Sequence, residues 1–194
     1  MEKEKVIEFF NAKAENWDQR NESNDEIIKI ILDSTGLRSG DAVLDVACGT
    51  GVMIPYYLER KAGSVTGIDI SPKMIEIARS KYKEALVKFI LGDAEEHDFG
   101  RKFDRIIVYN AFPHFQDPKS LINCLSGLLN PGGTLTIAHD SSREEVDAHH
   151  KSHAAHVSTG LMEVDELAEL FPKEMEITAR ISDESMYLIT GKHN

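Results

Sequence analysis

Apolar and polar positions change period several times along the chain. From residue 2 to 18, Val6, Ile7, Phe9, Phe10, Ala14 and Trp17 recur among charged residues in a helical rhythm, which predicts an amphipathic N-terminal helix. A second helix is predicted from Asn24 or Asp25 as cap, through Ile27, Ile28, Ile31 and Leu32, to a stop at Gly36. From Asp41 onward short apolar runs alternate with helical stretches. Strands are expected at 43–46, 64–69, 87–91, 103–109 and 134–138, with helices at 52–61, after Ser71-Pro72, and at 117–129. Alternation of this kind predicts an α/β, doubly wound, Rossmann-like domain, its parallel sheet covered by helices on both faces. Beyond residue 140 the rhythm changes to a polar, histidine-rich segment, a short helix at 163–171, and two closing strands at 176–182 and 185–191. No repeat or linker interrupts the pattern, so residues 1–194 are expected to form one domain.

The stretch Val43-Leu44-Asp45-Val46-Ala47-Cys48-Gly49-Thr50-Gly51 is an apolar run that ends in a small-residue turn before a helix. Glycines there let a ligand approach the backbone, and the helix beyond offers unpaired N–H groups. No Gly-Lys-Ser/Thr follows, which excludes a phosphate-binding loop of the triphosphate type. Asp69 ends the second strand eighteen residues beyond Gly51, close to the interval of about 20 at which an acid meets ribose hydroxyls in nucleotide folds.

These residues, with Gly92-Asp93-Ala94 after the third strand, the run 103–110 and the turn Gly132-Gly133 before the fifth, resemble the ordered motifs of class I S-adenosylmethionine (SAM) methyltransferases. The run 9–18, Phe-Phe-Asn-Ala-Lys-Ala-Glu-Asn-Trp-Asp, resembles the N-terminal segment of the small-molecule type related to the ubiquinone and menaquinone C-methyltransferases. The resemblance implies a seven-stranded, mostly parallel sheet with an antiparallel last strand, and an N-terminal lid helix over residues 1–20. It implies that Asp45 lies near the methionine ammonium, that Ala47, Gly49 and Gly51 line the cofactor's path, and that Asp69 holds the ribose. Ile70 and Met74 would pack near the adenine, Asp93 and Ala94 would read its edge, Asn110 would stand at the methionine end, and Phe10 and Trp17 would form the lid wall. Ala47 departs from the glycine that many members carry. A NAD-dependent dehydrogenase is the competing cofactor reading, disfavoured by the missing third glycine and by the absence of a role for Asp93 and Asn110.

Charge narrows the acceptor. With 33 acidic and 22 basic residues the chain carries a net charge of -11, which offers no footprint for nucleic acid or an anionic membrane. Two cysteines, no apolar leader at the start and no run long enough to span a bilayer lead us to expect a cytoplasmic protein without membrane insertion, monomeric or homodimeric. A small organic methyl acceptor is expected, received by loops beyond the fourth and fifth strands. There the chain carries His114, His139 and His150, candidates for acid-base or hydrogen-bonding roles, because imidazole titrates near neutrality. The histidine-rich insert, residues 141–172, adds His149, His153 and His156. On a continuous helix these would fall at i, i+4 and i+7, a face that with His139 or Asp140 would hold a transition metal; the other reading is a solvated helix with scattered histidines. A SAM-binding regulatory protein without catalysis is the third class carried forward.

Overall fold

The computed structural model describes residues 3–20 and 24–194, apart from the side chains of Arg20 and His153. The chain opens with α1 (Lys3–Lys13), a single 3-10 turn (Ala14–Asn16) and α2 (Trp17–Arg20), so the amphipathic N-terminal stretch is broken rather than continuous. Helix α3 (Asp25–Thr35) follows. Its ends lie where local chemistry places them: the Asn24 side chain accepts from the amides of Glu26 and Ile27, and Gly36 closes it in a left-handed conformation at φ 67°.

Strands and helices then alternate as β1 (Ala42–Val46), α4 (Ile54–Glu59), β2 (Ser64–Asp69), α5 (Pro72–Lys81), β3 (Val87–Leu91), β4 (Phe103–Tyr109), α6 (Pro118–Gly127) and β5 (Leu129–His139). Helices α7 (Arg143–His153) and α8 (Val164–Ala168) precede β6 (Met175–Ser182) and β7 (Tyr187–His193). The seven strands form one sheet in the order β3-β2-β1-β4-β5-β7-β6. β7 runs antiparallel to both β5 and β6, whereas the other neighbouring pairs are parallel. The expected doubly wound sheet with an antiparallel last strand is what forms.

β5 starts earlier than its apolar pattern suggests. Its register against β4 jumps from Phe103↔Leu129 to Arg105↔Thr134, so Asn130-Pro131-Gly132-Gly133 is absorbed as an irregularity inside the strand. Period-2 alternation decides which helices cover which face. Leu44, Val46, Ile106 and Val108 pack with Leu121, Ile122 and Leu125 of α6 and Leu167 of α8. Val43, Val65 and Ile107 pack on the other face with Ile28, Ile31 and Leu32 of α3 and with Tyr57 of α4. No described helix is long and apolar enough to cross a membrane.

Helix α3 thus seals a face of the sheet while its cap rests on a single side chain. Asn24→Ala should lower global stability by about 1 kcal/mol, read as a shift of the urea midpoint at unchanged slope; an unaltered midpoint would show that the cap contributes nothing.

Candidate active site

The turn after β1 folds because three of its residues take left-handed backbone angles: Ala47 at φ 55°, Gly49 at φ 54° and Gly51 at φ 84°. Gly49 and Gly51 do so without penalty, whereas Ala47 pays the cost of a Cβ in that region, about 1 kcal/mol. The path is fixed by hydrogen bonds from Cys48 N to Ile68 O (3.1 Å) and from Gly51 N to Cys48 O (2.9 Å). Asp69 bridges the ends of β1 and β2: its Oδ2 accepts from Gly49 N at 2.9 Å and its Oδ1 from Ser71 N at 2.8 Å.

A cavity of about 1020 Å³ opens at the C-terminal ends of β1, β2, β4 and β5. Asp45 lies on its floor, 2 % exposed, and its Oδ2 has no hydrogen-bond partner among the described residues. Burial first, and then the neighbouring Asp69 charge, pushes the Asp45 carboxyl up to about 8. Tyr57 stands close enough to offset part of this, although its hydroxyl also completes no hydrogen bond. Asp69 is raised by burial against the two amides that hold it down. Burial and both carboxylates keep the Cys48 thiol protonated, which removes it as a nucleophile. An orphaned buried carboxylate oxygen in a cavity wall suits a cationic ligand group.

The N-terminal segment roofs this cavity. Lys3 Nζ reaches Asp93 (2.5 Å) and Glu96 (2.6 Å), the Ser71 hydroxyl donates to Asn11 Oδ1 (2.8 Å), and the Thr50 hydroxyl donates to Asp18 (2.5 Å), which also pairs with Lys81 (2.8 Å). Phe9 and Phe10 pack with Val6, Ala154 and Val157, so the roof joins α1 to the chain beyond α7. A Cβ on Gly49 would lie 3.9 Å from Trp17 Nε1, which places the indole against the turn.

At the far end, under the C-termini of β4 and β5, His114, His139 and His150 line the same cavity. His114 Nδ1 lies 2.6 Å from the Val157 carbonyl, so Nδ1 carries the proton and Nε2 the lone pair. The His114 and His150 rings are 5.0 Å apart, and Phe10 stands edge-on to His114 at 4.9 Å. His139 is 3 % exposed and its Nε2 meets no partner. Burial lowers His114 to about 4 and His139 to about 3, and lowers His150 as well, leaving three uncharged imidazoles. Asp140 accepts from Tyr109 Oη (2.6 Å), Asn110 Nδ2 (2.7 Å) and Asn24 N (3.4 Å).

Of the residues singled out in the sequence, Trp17, Asp45, Ala47, Gly49, Asp69, Ile70, Met74, Asp93, Ala94 and Asn110 line the cavity together with the three histidines. Gly51 does not. It is turned toward Tyr82, whose ring would lie 2.7 Å from an added Cβ, so its role is to let the turn pack. The i, i+4, i+7 metal face is corrected: α7 ends at His153 and Ala154 leaves the helix at φ -143°, which turns His156 off the face and against Phe9 at 5.5 Å. His149 neighbours His150 at 5.9 Å, and the His153 side chain lies outside the described residues. Among the described residues no group of three or more histidine, cysteine or acidic side chains is arranged to hold a metal ion. Sequence reasoning missed Lys3, Asn11, Asp18, Thr50 and Ser71 as roof contacts. Their partners lie 32 to 93 residues away, and no local pattern announces such pairs.

Residues 43–133 match the family model described as a methyltransferase domain. The malonyl-[acyl-carrier protein] O-methyltransferase of Acetivibrio thermocellus is 33% identical over 138 residues, 69% of this chain and 49% of that protein. The chain thus spans about half the length of that curated relative. A chain of the complex between the Haloferax volcanii Trm112 methyltransferase activator and a methyltransferase superposes with TM-score 0.80 at 20% identity, covering 94% of this chain and 96% of that one. The N-methyltransferase NodS of Bradyrhizobium japonicum, solved with S-adenosyl-L-homocysteine (SAH), superposes with TM-score 0.74 at 18% identity and 97% coverage of both chains. The superpositions show that the chain has the fold of these methyltransferases, and residues 43–133 are similar to a methyltransferase domain.

The buried carboxyl makes stability depend on pH in a defined sense. Asp45 binds its proton more tightly in the folded than in the unfolded chain, so its contribution falls as pH rises from near 4 to about 8. His114 and His139 act oppositely, costing stability as pH falls below about 6.5. Urea titrations of wild type and Asp45→Asn between about pH 5 and about pH 9 should show the variant gaining relative stability with rising pH. A pH-independent difference would refute the assignment.

Proposed function

We propose that the chain is an enzyme that moves a methyl group from SAM to a small organic acceptor. The observation that carries this is one cavity with two chemically distinct ends: a carboxylate and glycine-turn end built by Asp45, Gly49 and Asp69, and an aromatic and imidazole end built by Phe9, Phe10, His114, His139 and His150. When bound, SAM supplies an electrophilic methyl on a sulfonium. The residues at the first end fit it. Asp45 Oδ2 offers an unsatisfied acceptor to a cationic amino group, and Asp69 keeps lone pairs for ribose hydroxyls after accepting two amides. Ile70 and Met74 give an apolar seat, and Asp93, Ala94 and Asn110 extend the wall along the strand ends.

Methyl displacement is in-line, so alignment and exclusion of water do most of the work. The roof formed by α1 and α2 supplies the exclusion, and Trp17 and Phe10, 5.6 Å apart and edge-on, are its aromatic seam. The aromatic run at 9–18 also supports kinship with the quinone-related small-molecule type. His114 presents a lone pair to the acceptor end without needing to lose a proton, because it is already neutral. Turnover of any acceptor separates this reading from a regulatory SAM-binding protein.

Asp69→Asn keeps the shape of the bridge and removes its charge. SAH affinity should fall about tenfold or more by calorimetry, the cost of a hydrogen bond to a charged group; unchanged affinity would sink the ribose assignment. Trp17, the only indole in the chain, should change its fluorescence when SAH binds wild type, and Phe10→Ala should weaken SAH binding or acceptor binding by loosening the roof. An indifferent indole signal would make α1 and α2 a purely structural cover.

A further inference from the structure

Two described lysines line the cavity, and they are not equivalent. Lys3 is spent on Asp93 and Glu96. Lys13 forms no ion pair among the described residues; its Nζ stands 4.2 Å from the centre of the Phe9 ring. Phe9, Phe10 and Lys13 lie at i, i+1 and i+4 on α1, and Phe10 touches His114. We propose that Lys13 is a specificity-determining residue that selects an acidic hydroxyl, such as a phenol, as the methyl acceptor and pairs with its oxygen as that oxygen becomes anionic. This rests on the methyl-transfer reading of the cavity given above.

The surrounding charges point the same way. Lys13 lines the same cavity as His114 and His150, and its Nζ lies over Phe9, which packs edge-on to Phe10, the ring that meets His114. Asp140 is occupied by Tyr109, Asn110 and Asn24, while Glu145 is exposed at the start of α7 and accepts from Ser142 N. His139 Nε2 remains buried and unpartnered, and His114 Nε2 holds a lone pair. An O–H group between them has both of its needs met: an acceptor for its proton and a cation for its oxygen. An amine would arrive as an ammonium repelled by Lys13, and a carboxylate would bring no proton to the imidazole lone pair. The step balances. The hydroxyl oxygen forms a bond to the methyl carbon as the carbon–sulfur bond breaks and the sulfonium becomes a neutral thioether. The hydroxyl proton passes to His114 Nε2, so one positive charge moves from sulfur to imidazole. A weakly basic imidazole suffices, because the Lys13 ammonium stabilises the negative charge that develops on the oxygen and methyl transfer consumes it.

The test uses the full chain saturated with SAH and para-nitrophenol as probe, whose phenolate is coloured. The bound probe should ionise about one pH unit below the free probe. Lys13→Met should abolish that displacement and Lys13→Arg should retain it. SAH affinity of each protein is measured alongside by calorimetry. With SAH binding intact, an unshifted or raised midpoint, failure of the probe to bind, or a full displacement in Lys13→Met would each overturn the proposal. Failure of wild type to bind SAH would instead overturn the methyl-transfer reading on which it rests.

Discussion

Two carboxylates side by side at the ends of adjacent parallel strands set the terms for the rest of this molecule. Asp45 is buried and Asp69 partly so, and the Asp69 charge adds to the cost of charging Asp45. The fold treats them unequally. Asp69 is given two backbone amides and so becomes the staple between the turn after β1 and the cap of α5. Asp45 keeps an oxygen with no partner. A structure in which both were satisfied internally would be a more stable α/β domain with no reason to bind anything there. The unsatisfied oxygen breaks a local rule in the wall of the cavity, a pattern met where function is expected.

The roof is attached by polar and apolar contacts of different kinds. Its polar contacts to the body of the fold are Lys3 to Asp93 and Glu96, Asn11 to the buried Ser71 hydroxyl, and Asp18 to the buried Thr50 hydroxyl and to Lys81. Its apolar contacts are a small cluster of Val6, Phe9 and Phe10 against Ala154 and Val157. Exposed ion pairs contribute little each, with a median of about 0–1 kcal/mol, and a cluster of this size is a minor part of the apolar core. β1, β4 and β5, by contrast, are held by strand pairing on both edges and by helices on both faces.

Much of the framework was legible because it is encoded over short distances. The caps at Asn24, Gly36 and Ser71, the strand–turn–helix around Gly49 and the alternation of periods are all local, and each formed within a few residues of its expected place. What sequence reading lost is non-local or depends on where a helix stops. Helix α7 was long enough in composition to carry His149, His153 and His156 on one face, yet Ala154 leaves the helix and the third histidine turns to Phe9. Gly51 shows a subtler limit. Its presence in a motif was readable, but whether it faces a ligand or a neighbouring ring depends on Tyr82, which arrives from the end of another helix.

The imidazole end shows how the same tertiary effects change chemistry rather than geometry. Free histidine at neutral pH is part cation and part base, and the sequence alone permits either role for His114, His139 and His150. Placing three imidazoles at one end of the cavity with a lysine nearby favours their neutral forms, with burial the first cause for each. The cavity then has its formal positive charge on the roof, at Lys13, and its proton acceptors in the body of the fold, at His114 and His139. Separating the two functions onto different elements means that the acceptor end is electrostatically complete only when the roof is down. Closure thus does more than exclude water: it brings in the charge that an anionic oxygen requires.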